Sequence, residues 1–189
     1  MATEIKFNAD GTINFGDYTL TFTDEGFEFD GAILATEYEI PYSFQGSVSG
    51  YMSGRAGVPG ITNTIDKFPF AVDGDATDVG DLTAVANDVQ GGQSSSENGY
   101  TSGGDTSQKN VIDKFPFASD ANATDVGDLS QARNQTTGQS STESGYNSGG
   151  FVSPPEVNTI DKFPFASDAN ATDVGDLSQA GYRGAGQQV

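Results

Sequence analysis

The sequence predicts an all-β protein, with a small N-terminal β module at residues 1–44 and three tandem β repeats at 45–189. Three observations carry that expectation. The phrase IDKFPFASDANATDVGDLSQA occupies Ile112–Ala132 and again Ile160–Ala180, and a close copy, IDKFPFAVDGDATDVGDLTAV, begins at Ile65. Two independent anchors give one period. Ile65, Ile112 and Ile160 lie 47 and 48 residues apart, and Gln45, Gln93, Gln139 and Gln187 lie 48, 46 and 48 apart. Such a period marks a supersecondary unit that buries its apolar face against a neighbour. The 25 Gly indicate many tight turns, hence short strands rather than long helices.

In the N-terminal module, EIKFNADGTINFG reads as two short alternating segments around Asn8-Ala9-Asp10-Gly11. YTLTFTDEGFEFDG repeats the idea around Asp24-Glu25-Gly26. Turn residues between alternating apolar positions are hairpin signals. GAILATEYEIPYSF reads as a strand or one helical turn, and Pro41 tilts the choice toward strand by favouring an extended Ile40.

From Gln45 onward each unit reads alike. A Gln-Ser-rich segment leads to Gly-Tyr at Gly50-Tyr51, Gly99-Tyr100 and Gly145-Tyr146, followed by a loop of variable length. The phrase comes next. In IDKFPFA, strand alternation places Ile112, Lys114 and Pro116 on one face and Asp113, Phe115 and Phe117 on the other. Pro116 lacks an N–H, so its strand is expected at a sheet edge or to end near it. SDANATD reads as a turn held by its own Asp and Asn side chains. DVGDL resumes extension, with Gly127 expected at a bulge or a close backbone approach. Each unit is thus expected to hold four short strands. The Phe-Pro-Phe rings are expected to build the core, because the chain has few other large apolar side chains.

Composition excludes several functions. With 27 acids against 8 bases the formal net charge is −19, which argues against nucleic-acid binding and against an anionic membrane surface. There is no Cys and no His, so Cys/His zinc sites and Ser-His or Cys-His catalysis within one chain are excluded. Met1-Ala2-Thr3-Glu4 lacks a basic and then apolar leader, so no secretory signal is expected there. No apolar run approaches a membrane span.

The acidic turns are the strongest chemical candidates. Asp120, Asn122, Thr124, Asp125 and Asp128 offer closely spaced oxygens, as the start of a calcium loop does. Asp168, Asn170, Thr172, Asp173 and Asp176 repeat the set, as do Asp73, Asp75, Thr77, Asp78 and Asp81. The Gly required at the sixth position is Asp, however, and no Glu follows at the twelfth, so a turn held by its own side chains is the expectation. No metal and no other cofactor is assigned. Paired carboxylates also serve glycoside hydrolysis, but an active site needs unlike groups in unlike environments, and the copies are nearly identical. The chain is therefore read as non-enzymatic. Lys67, Lys114 and Lys162, beside Asp66, Asp113 and Asp161, read as solvated strand charges that discourage edge pairing.

Two resemblances follow from these motifs. Arg133, GQSSTESGYNSGG, NTIDKFPFA and SDANATDVGDL, in that order, resemble a kelch repeat. The late Trp of that family is replaced by Leu82, Leu129 or Leu177, the Gly pair becomes Gly54-Arg55 in the first copy, and the first junction lacks the Arg. Kelch-like units imply propeller blades. Because propellers need about four to eight blades, closure would require oligomerisation; a single-chain β-trefoil or β-prism is the alternative. The wording itself resembles tandem repeats in virion structural and tail-fibre-like proteins of marine tailed bacteriophages of the cyanophage type. That resemblance implies a virion location, as a tail fibre, appendage or capsid decoration. It also implies contacts to other virion proteins through residues 1–44, and a homo-oligomer with a trimer favoured. A host-surface glycan is a further expected partner, and a non-viral carbohydrate-binding module or adhesin is the alternative reading.

Overall fold

The computed structural model describes residues 46–57, 60–86, 90–104 and 107–188, together with the backbone of four strands between residues 12 and 35. Those four strands belong to one compact unit, Met1–Ser43, and the remainder to a second, Phe44–Val189.

In the first unit β1 (Thr12–Phe15), β2 (Tyr18–Thr23), β3 (Gly26–Phe29) and β4 (Ala32–Ala35) form an antiparallel meander in sequence order. β2 and β3 pair antiparallel, with Thr23 opposite Gly26. Residues 32–35 are a strand rather than a helical turn. The hairpin expected around Asn8-Ala9-Asp10-Gly11 and the extended Ile40 before Pro41 lie outside the described residues.

Among the described residues the second unit holds eleven strands in three open antiparallel sheets. The first sheet is β5 (Ser49–Ala56), β6 (Ile61–Pro69) and β7 (Thr77–Ala86). The second is β8 (Gly91–Ser94), β9 (Asn98–Ser102), β10 (Val111–Pro116) and β11 (Thr124–Asp128). The third is β12 (Thr137–Ser140), β13 (Ser144–Ser148), β14 (Thr159–Pro164) and β15 (Thr172–Asp176). Registers match between copies: Phe115 faces Gly99 as Phe163 faces Gly145, and Lys114 faces Tyr100 as Lys162 faces Tyr146.

Local sequence explains these elements. β10 is central in its sheet and stops at Pro116, beyond which the ladder would need an N–H that proline lacks. The register slips between Ile112 and Asp113 opposite Gly127, and the same slip lies between Ile160 and Asp161 opposite Gly175. The next unit also comes close at Gly127. A Cβ built there would stand 2.5 Å from the carbonyl oxygen of Ala169, so both readings of this glycine hold.

Alternation sends the two faces of the middle sheet to different neighbours. Phe115 and Ala123 of the second sheet are buried with Ile65, Leu82 and Ala86 of the first. Tyr100, Ile112 and Leu129, also of the second sheet, are buried with Phe163 and Ala171 of the third. The middle sheet is thus covered on both sides, and each core lies between two successive sheets. A β-trefoil or β-prism would gather the three copies around one central core; here there are two, and the described strands close no barrel, so the single-chain trefoil or prism alternative is not adopted.

The first copy departs from the expected burial of the Phe-Pro-Phe rings. Phe115 and Phe163 are 4% and 1% exposed, whereas Phe68 and Phe70 are 38% and 51% exposed. The latter two rings meet edge to face at 5.7 Å, each the other's only ring partner among the described residues.

Candidate functional site

The side chains that the sequence singles out converge on the seams between sheets. Each seam centres on a tyrosine from one unit and the Phe-Pro-Phe pair of the next. Tyr51 stacks on Phe117 at 5.0 Å and 28°, and tilts against Phe115 at 5.5 Å. Tyr100 repeats this on Phe165 at 4.9 Å and 24°, and against Phe163 at 5.5 Å. Offset and tilted arrangements at such separations are favourable beyond the area they bury.

The glycine before each tyrosine makes room for the phenylalanine. A Cβ on Gly50, Gly99 or Gly145 would come within 2.3 Å of the Cζ of Phe68, Phe115 or Phe163 on the neighbouring strand. The ring therefore lies flat over bare backbone. Gly-Tyr is a coupled pair: glycine seats the ring of its own sheet, and tyrosine reaches the rings of the next.

The acidic turns belong to the same seams. Lys67 Nζ pairs with Asp120 Oδ1 at 3.2 Å, and Lys114 pairs with Asp168 in the same way. The bond to Asp120 raises the Lys67 pKa. Asn122 Oδ1 accepts the Asp81 N–H, and Asn170 Oδ1 accepts the Asp128 N–H, both at 3.1 Å. The Ala123 and Ala171 N–H groups donate back to the Asp81 and Asp128 carbonyls at 2.8 and 2.7 Å. Asp125 and Asp173 cap their own turns, accepting from the Gly127 and Gly175 N–H. The backbone of Asp128 is tied to the third sheet, and Asp176 lies exposed at the end of β15. Among the described residues no three acidic side chains form a group able to hold a metal ion. The lysines are corrected by this geometry: Lys67 and Lys114 are ties between sheets, not merely solvated strand charges.

Deeper in each seam a buried aspartate reaches across. Asp113 accepts from the Thr83 N–H at 3.1 Å and the Thr83 hydroxyl at 2.7 Å. Burial raises its pKa, while those two bonds pull it down by less. Asp161 accepts the Ser130 N–H at 2.9 Å and pairs with Arg133 at 3.0 Å, both side chains being fully buried. Burial lowers the Arg133 pKa, against the attraction of Asp161. Arg133 Nη2 also donates to the Asn147 carbonyl at 3.0 Å, and Asn147 Nδ2 donates to Ser102 Oγ at 2.7 Å. The first seam has Ala86 where the second has Arg133. A shallow cleft opens there, lined by Leu82, Thr83, Ala86, Thr101, Lys109 and Asp113.

Sequence reasoning placed Phe115 and Phe163 in the core, but not the exposed Phe68 and Phe70, and it missed the tyrosine stack, the glycine seat and the buried Arg133–Asp161 pair. The missed partners are far apart in sequence; Lys67 and Asp120, for example, are separated by 53 residues. The available signal was the repeated Gly-Tyr itself, which in the first two units stands one unit ahead of another Phe-Pro-Phe. No protein-family model and no curated protein matches this chain.

Proposed function

We propose that the chain is a non-enzymatic structural component of a phage virion, a tail fibre, appendage or capsid decoration that contributes to host-surface attachment. One observation supports the structural role above all. In the two seams the turn acids Asp120 and Asp168, the lysines Lys67 and Lys114, the buried Asp113 and Asp161, and the tyrosines Tyr51 and Tyr100 join one sheet to the next. The virion assignment draws on the likeness of IDKFPFASDANATDVGDL and GQSSTESGYNSGG to phage appendage repeats. Residues 1–44 serve as the docking module to other virion proteins, and the repeats display acidic loops in near-identical copies. Near-identical loops bind multivalently, where weak single contacts add through effective concentration.

Mass spectrometry of purified virions from the source phage tests the assignment. The protein is expected among the particle's components at a stoichiometric level, and its absence rejects the virion reading. The second reading, a non-viral carbohydrate-binding module or adhesin, is favoured by the exposed Phe68–Phe70 pair, since bare aromatic rings are the usual platform for sugar faces. Glycan-array binding by the purified chain, lost on replacing Phe70, together with absence from particles, would select it.

A further inference from the structure

The two ends of the described array are unlike, and each is one half of the seam found inside it. At the leading end Phe68, Phe70 and Ala76 lie exposed on the first sheet, at the positions of Phe115, Phe117 and Ala123. Asp73 stands where Asp120 meets Lys67, and Val48 and Val72 add exposed apolar surface where the second unit has Glu97 and Ser119. At the trailing end Val174 and Leu177 are 51% and 37% exposed, although their counterparts Val126 and Leu129 pack in the second core. Tyr146 has no ring stacked on it among the described residues. Lys162 sits 5.8 Å over the Tyr146 ring, as Lys67 sits 5.9 Å over Tyr51, with no acid facing it in the described structure.

Backbone geometry repeats the point. Cβ atoms on Gly80 and Gly127 would strike the carbonyls of Ala121 and Ala169 in the next unit, at 2.4 and 2.5 Å, whereas one on Gly175 meets nothing within 4 Å. Residues 184–186 continue the array. Gly186 approaches the Gly138 carbonyl as Gly138 approaches that of Gly92, 2.2 Å from the added Cβ in both cases, and Thr137 Oγ1 bonds the Gly184 carbonyl at 3.1 Å. This segment occupies the place of the first strand of a fourth sheet.

We infer that the trailing face of one copy docks on the leading face of a second copy, head to tail, with Tyr146 stacking on Phe68 and Phe70 and Lys162 pairing with Asp73. The occupant is a second copy because the internal seams already show these two faces fitting together, ring on ring and lysine on aspartate. The interface is heterologous: different patches meet, so the assembly keeps one open face at each end unless it closes. With a net charge of −19 per chain, self-repulsion opposes joining, and salt strengthens it by screening. The inference stands apart from the virion assignment.

The test uses the full chain, with native mass spectrometry and sedimentation over rising protein and salt concentration. Phe70→Asp breaks the leading face and Val174→Asp the trailing face, both at exposed positions, with circular dichroism and melting to verify folding. Wild type is expected to assemble, and each folded variant to raise the apparent dissociation constant by about tenfold or more. The two variants mixed in equal amounts are expected to give dimers and nothing larger, because only one intact pair of faces remains. Lys162→Glu weakens assembly, and adding Asp73→Lys to it restores assembly. A wild-type chain that stays monomeric throughout overturns the inference. So do folded variants that assemble like wild type, or mixed variants that fail to pair.

Discussion

The ring of Phe115 lies on Gly99, so close that a Cβ on the glycine would fall 2.3 Å from the ring's Cζ. Both residues are buried, and Phe115 in turn carries Tyr51 of the preceding sheet. A methyl at position 99 would lift the ring out of that contact. Gly99→Ala is expected to cost about 1–3 kcal/mol, the range for overpacking a close-fitted core. Gly92→Ala is the control, since its added Cβ meets nothing within 4 Å. Urea unfolding of both variants checks this, and equal stabilities would remove the ring-seat argument.

Arg133 and Asp161 form the second relationship, an ion pair with no exposure on either side. Nη1 of the arginine and Oδ1 of the aspartate have no hydrogen-bond partner, so the pair is incompletely satisfied. Removing one charge from such a pair strands the other. Arg133→Met is expected to cost about 3–5 kcal/mol, and Arg133→Met with Asp161→Asn much less than the two single losses added together. A double-mutant cycle by urea denaturation measures the coupling. Simple additivity would show that the two residues act independently.

The legible part of the fold was whatever one unit specifies alone. The repeated phrase gave the period, strand alternation separated Ile112 and Lys114 from Asp113 and Phe115, and Pro116 marked the strand's end. Which sheet each face meets is not written in a single unit. Phe115 packs on Ile65 of the preceding unit, while Ile112 packs with Phe163 of the following one, and alternation is silent on that choice. The acidic turn was misleading for a related reason. Asp120 and Asn122 look like a local cluster of oxygens, yet their partners, Lys67 and Asp81, lie in the previous copy of the phrase.

Asp113 makes the first seam sensitive to pH. Its folded-state pKa lies above the ordinary 3.8, chiefly through burial. As pH rises from 3.8 to the raised value, the folded chain binds more protons than the unfolded chain, so stability falls across that window and is level beyond it. Asp113→Asn carries no charge at any pH. Its stability relative to wild type is therefore expected to rise as pH climbs through the window and then to level off. Melting both proteins across a pH series isolates this group from the other carboxylates. A relative stability that is flat, or that falls, would mean that the Thr83 bonds outweigh burial.

The three copies of one leucine give the sharpest measure of what each seam contributes. Leu82 and Leu129 are 3% exposed in the two cores, and Leu177, in the same place within the third copy, is 37% exposed. Truncation of a buried leucine loses both transfer energy and packing. Leu82→Ala and Leu129→Ala are expected to cost about 2–5 kcal/mol each. Leu177→Ala is expected to cost only about 1 kcal/mol in dilute protein, because much of that side chain already meets water. If copies join head to tail, the Leu177→Ala cost should grow with protein concentration as the leucine becomes covered, while the Leu82→Ala and Leu129→Ala costs stay constant. Thermal melts at several concentrations read both effects. An equal cost at all three positions in dilute protein would contradict the exposed trailing face.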